Sequence, residues 1–95
     1  MSPLSDAEVT SRLGSLPSWH VERGELVRTF SFADFRAAMG FVNQVAELAE
    51  AAGHHPDIDI RYNKVRLGLV SHEAGGLTAK DFDLAAAAAD KVGSA

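Results

Sequence analysis

The sequence contains no cysteine. That excludes disulfides, thiol nucleophiles and cysteine-based zinc sites, and it fits a reducing cytoplasm. Positive charge is scarce too. Nine Lys and Arg are scattered among 13 Asp and Glu, leaving a net charge of −4. No basic stripe exists to attract nucleic acid, so no nucleic-acid partner is expected. Long apolar runs are also missing. None approaches the roughly 20 residues needed to cross a bilayer. The start, Met1-Ser2-Pro3-Leu4-Ser5-Asp6, has no basic segment leading into an apolar run. No signal peptide and no membrane partner are expected, and the default is a soluble cytoplasmic protein.

What remains is an ordinary globular composition, 46% hydrophobic and 23% charged over 95 residues. That length holds one domain, 1–95, around one modest core. Histidine is where the sequence becomes specific. Three of the four histidines fall in two short clusters, Gly53-His54-His55-Pro56 and Ser71-His72-Glu73. An imidazole titrates near pH 6.5, about where proton transfer in either direction is useful.

The elements follow from spacing. Ser5-Asp6-Ala7-Glu8 matches a capping box and starts a short helix running to about Leu13. Gly14-Ser15-Leu16-Pro17-Ser18 breaks the chain. Trp19–Glu22 and Leu26–Phe30, joined by Arg23-Gly24-Glu25, read as a β-hairpin. From about Ala33, residues Phe35, Ala38, Met39, Val42, Val45, Ala46 and Ala49 keep helical spacing up to a stop at Gly53. Ile58 and Ile60 alternate with charged residues, Tyr62-Asn63-Lys64 turns, and Val65, Leu67 and Leu69 alternate again. After Ser71-His72-Glu73 comes Ala74-Gly75-Gly76, read as flexible. Thr78 then caps a last helix with Phe82, Ala85, Ala89 and Val92 on one face. The order is α-β-β-α-β-β-α. It implies an α+β fold with a four-stranded, largely antiparallel sheet and helices over one face. The uncovered face and edges make self-association an economical expectation.

Counting back from the second turn puts Asp57 roughly opposite Val70. His55 and His72 then stand near one another at the hairpin's open end. Two plainer readings compete with a proton-transfer site. The histidines can be surface loop residues, or metal ligands helped by Glu50, Asp57 or Glu73. Against metal, no H-E-x-x-H pattern exists and adjacent histidines rarely share one ion. Asp81 reads either as a capping partner of Thr78 or as a carboxylate that orients an imidazole. Glu50 is either solvated or within reach of the histidine pair. Trp19 reads as core, His20 as surface, and Ala85–Ala89 as a strong helix former narrow enough for a subunit interface.

Glu50-Ala51-Ala52-Gly53-His54-His55-Pro56, Tyr62-Asn63-Lys64-Val65, Ser71-His72-Glu73, Gly76-Leu77-Thr78 and Asp81 together resemble the pterin-4a-carbinolamine dehydratase family. Trp19, Phe32, Phe35, Phe41 and Val42 match it as well, so the likeness runs from about residue 5 to 92. The resemblance implies a four-stranded antiparallel sheet with three helices. It implies dehydration of 4a-hydroxytetrahydropterin to the quinonoid dihydropterin, which recycles the pterin after an aromatic amino acid hydroxylase. No metal and no bound cofactor are implied. His54, His55 and His72 would form the site with Asp81 in support, and Gly53, Val70, Ser71 and Glu73 would help line the pterin pocket. In this reading His54 and His72 are the acid–base pair and His55 orients the pterin. The family's dimers and tetramers imply a homo-oligomer. Some relatives act instead as dimerisation cofactors or assembly factors, which makes a non-catalytic binding module the alternative. The chain departs from many members in having Ile58 in place of Trp and Ala74 in place of Cys.

Overall fold

The computed structural model describes residues 2–92. Helix α1 (Asp6–Leu13) is followed by strands β1 (His20–Glu22) and β2 (Glu25–Ser31) and the long helix α2 (Phe35–Ala52). Strands β3 (Asp57–Arg61) and β4 (Lys64–Leu69), a short 3₁₀ turn (His72–Ala74) and helix α3 (Ala79–Asp90) complete the described chain. The sheet is antiparallel throughout, in the order β1-β2-β4-β3. The α+β class and element order match the sequence expectation.

Local chemistry explains each boundary. Ser5 and Glu8 exchange side-chain to backbone hydrogen bonds and start α1. Arg23 and Gly24 both take positive φ, 52° and 79°, as a two-residue hairpin with primed-turn geometry requires. The turn is therefore shorter than three residues, and Glu25 already belongs to β2. Asp34, a cap that spacing alone did not reveal, accepts from the Ala37 N–H and starts α2. Gly53, at φ 64°, ends it in the left-handed region.

Paired strand residues share a face, and alternate residues face opposite ways. Leu26, Phe30, Val65, Leu67 and Leu69 thus form one buried surface. Helix α2 covers it with Ala38, Phe41, Val45 and Ala49. Phe41 stacks tilted on Phe30 with ring centroids 4.5 Å apart, and Trp19 meets Phe30 edge-on at 5.9 Å. Phe35, counted on the apolar stripe from its spacing, is half exposed instead. The buried stripe runs through Phe41 because α2 is rotated to set that ring between Phe30 and Phe32. The opposite sheet face carries charge, including an Arg66–Glu22 bond of 2.6 Å.

The second hairpin also turns in two residues, Tyr62 and Asn63, with Tyr62 at φ 52°. Asp57 consequently pairs with Gly68, not Val70. Both chain exits still lie at that end of the hairpin. His54–Pro56 lead into β3 there, and Val70–Ser71 leave β4 there.

Candidate active site

Gly53 makes the site by ending α2 abruptly. With its left-handed backbone, the His54 N–H turns back onto the Ala49 carbonyl at 3.2 Å. The imidazole is thereby carried toward α3 and buried, 8% exposed. Its Nε2 lies 2.6 Å from Oδ1 of Asp81, which is completely buried.

Asp81 sits in the first turn of α3, where the helix dipole favours negative charge. Its second oxygen, Oδ2, accepts from the Thr78 N–H at 2.9 Å and from the Ser71 hydroxyl at 2.9 Å. Ser71 and Thr78 hydroxyl oxygens stand 2.8 Å apart. Ser71 has one hydroxyl proton and gives it to Asp81, so Thr78 donates to Ser71. Every buried polar side-chain atom of this cluster is partnered, as a low-dielectric site demands. Asp81, as a carboxylate, accepts from all its partners. The proton on this edge of the His54 ring is therefore on Nε2. In the neutral ring Nδ1 holds the lone pair; in the charged ring Nδ1 holds a second proton. Both sequence readings of Asp81 thus hold at once. One oxygen caps the helix and the other holds the imidazole.

His54 also borders a hollow of about 430 Å³ between α2 and α3. Leu48, Ala51, Ala52, Leu84 and Ala87 give it apolar walls, and Lys80 and Asp83 add charge. His55 points elsewhere. Its Nε2 lies 2.6 Å from Glu50 Oε2, one helical turn or so before it, with both side chains exposed. Glu50 therefore reaches His55 and not His54. His72 opens the 3₁₀ turn and is exposed, as is Glu73, while Val70 is half buried.

Ser71 connects the two histidine segments physically. It precedes His72 in the chain and bonds the carboxylate that holds His54. The segment read as flexible is closed instead. Ser71 and Gly76 form an isolated antiparallel bridge, and the Ala74 and Gly75 amides donate to the Ser71 carbonyl. Among the described residues, no group of three or more His, Cys, Asp or Glu is arranged to hold a metal ion. The hydroxyl of Thr78 is the member of the cluster that sequence reasoning did not assign to the site. The signal was the spacing Thr78-x-x-Asp81, which was legible only as a cap.

The family model described as pterin 4 alpha carbinolamine dehydratase matches residues 2–91. A Chloroflexus aurantiacus protein named "Putative pterin-4-alpha-carbinolamine dehydratase" is 63% identical over 87 residues, covering 92% of this chain and 94% of its own length. A protein of the same name from Acidobacterium capsulatum is 62% identical over 86 residues, covering 90% and 94%. The crystal structure of a transcriptional coactivator/pterin dehydratase from Brucella melitensis superposes with a TM-score of 0.89 at 32% identity, covering 93% of this chain and 96% of that one. A pterin dehydratase-like RuBisCO assembly factor of the alpha-carboxysome shares the fold at a TM-score of 0.66 and 23% identity, covering 81% and 89%.

Proposed function

The chain belongs to the pterin 4 alpha carbinolamine dehydratase family, and from that premise we propose that it dehydrates 4a-hydroxytetrahydropterin to the quinonoid dihydropterin. The observation that carries the proposal is the buried His54–Asp81 pair. It holds an imidazole in a defined tautomer where α2 ends, on a carboxylate that the Ser71 hydroxyl also grips.

The reaction breaks the C4a–O bond and one ring N–H bond, and it forms a carbon–nitrogen double bond. The hydroxyl leaves as water once it has been given a proton, and the ring nitrogen loses one. A charged imidazole at the hydroxyl and a neutral one at the nitrogen supply both transfers, each contributing about 10²–10⁴-fold. We assign these roles to His54 and His72. His55, held by Glu50, orients the pterin, and Gly53, Val70 and Glu73 help line its pocket; Ser71, fully buried, serves the site through its bond to Asp81. The reading calls for neither metal nor cofactor.

Single His54→Ala, His55→Ala and His72→Ala variants test it with chemically generated carbinolamine. His54→Ala and His72→Ala should each lose on the order of 10²-fold in kcat. His55→Ala should act mainly on KM. Full activity in all three would overturn the assignment.

The same reading places the protein in the cytoplasm as a homodimer or homotetramer. Supporting self-association, every residue of edge strand β3 is exposed, Ile58 and Ile60 among them. That edge also favours a second reading, a non-catalytic dimerisation cofactor or assembly factor, in line with the coactivator name of the Brucella structure. Absence of dehydration by wild-type protein that still captures a protein partner would decide for it.

A further inference from the structure

Asp81 draws both Oδ2 donors from the two ends of one loop. Ser71 stands at its start and Thr78 at its finish. Between them the loop is pinned by reciprocal bonds, Ser71 N–H to Gly76 O at 3.1 Å and Gly76 N–H to Ser71 O at 3.3 Å. A further tie comes from the other end of the chain. The Leu4 N–H donates to the Leu77 carbonyl at 2.8 Å. A Cβ added at Gly76 would lie 2.9 Å from the Cβ of Pro3, so the proline rests on the Gly76 backbone.

That N-terminal segment is itself anchored. Leu4 and Val9 both pack against the core, and Ser5 between them is the N-cap of α1. They occupy the positions of a hydrophobic staple, which fixes the angle at which a chain enters its helix. The staple sets Leu4, Leu4 and Pro3 hold the 76–77 backbone, and that backbone fixes the ends that grip Asp81.

We propose that Pro3 and Leu4 form a strap that positions the 71–78 loop and, through Asp81, the imidazole of His54. They are positioning residues, remote from any reacting atom. A site is only as well placed as the shell behind it, and small misplacements cost rate disproportionately. The activity arm of the test rests on the dehydratase reading; the spectroscopic arm does not.

Two full-length variants test the strap. Leu4→Pro removes the N–H that reaches Leu77, and Gly76→Ala drives a methyl group into Pro3. For each, kcat, KM, the pH–rate profile, the ¹⁵N imidazole signals of His54 and the thermal melt are recorded. We expect folded protein, His54 signals moved toward mixed tautomers, and kcat lowered on the order of tenfold with a smaller change in KM. Wild-type His54 signals and an unchanged pH profile in both variants would overturn the strap. If Leu4→Pro does not fold, Gly76→Ala decides on the same readouts. If wild-type protein proves inactive, the dehydratase reading fails separately. Shifted His54 signals in the variants still support the strap, and unshifted ones still refute it.

Discussion

At the scale of single residues, burial separates the two histidine–carboxylate contacts, which are equally short at 2.6 Å. The His54–Asp81 pair is desolvated, so an unpartnered member would be costly. The His55–Glu50 pair is more than half exposed on both sides and is screened by water. Glu50→Gln should therefore change stability by less than about 1 kcal/mol in urea unfolding. Ser71→Ala should cost about 1–3 kcal/mol, because Asp81 loses a donor that no water can readily replace. A reversed ranking of the two variants would contradict this account of burial. The histidines were legible in the sequence because their types and flanking turn residues stand out. The partnership of Ser71 with Asp81 was not. It depends on where the end of β4 lands against α3, which no local spacing encodes.

At the scale of elements, caps and aromatic contacts do most of the placing. Donation from the Ser5 backbone N–H, then from its hydroxyl, holds the Glu8 carboxyl below the ordinary value of 4.5. A carboxylate lowered in this way stabilises the folded chain at neutral pH. That contribution declines as pH falls below 4.5 through the folded-state value. The start of α1 should therefore lose amide-exchange protection in that acid window before α2 does. Equal protection of both helices through the window would argue against it. In the core, Phe41→Ala should cost about 3–5 kcal/mol by denaturant melt, since its ring fills the space beside Phe30 and Phe32. Phe35→Ala, half exposed, should cost far less. The helical period located α2 correctly but misjudged its rotation. Phe35 and Phe41 are six residues apart, so they cannot share one narrow stripe, and only packing against β2 chooses between them. Both hairpins were legible as hairpins. Their turns came out one residue too long because Arg23 and Tyr62 adopt positive φ, a choice that side chains other than glycine seldom announce.

At the scale of the molecule, the sheet is covered on one face and open at both edges, β1 and β3, whose residues are all exposed. Helix α2 covers β2 and β4, while β3 presents Ile58 and Ile60 to solvent. An exposed strand carrying apolar side chains invites another copy. Light scattering should give a mass that is a multiple of 10.1 kDa, and Ile60→Lys should lower it. A single 10.1 kDa species in the wild type would contradict the expectation. Alternating Ile58 and Ile60 made the strand legible, but alternation is silent on whether its apolar side meets a helix or solvent.

The claim on which function turns is that Asp81 holds His54 ready to move a proton. The most direct test is the dehydration rate of Asp81→Asn against wild type at neutral pH, with folding verified by circular dichroism. The side chain keeps its size and loses its charge, so the His54 tautomer is no longer enforced. The account predicts a folded protein slower by about 10–100-fold. A folded Asp81→Asn protein turning over at the wild-type rate would contradict it.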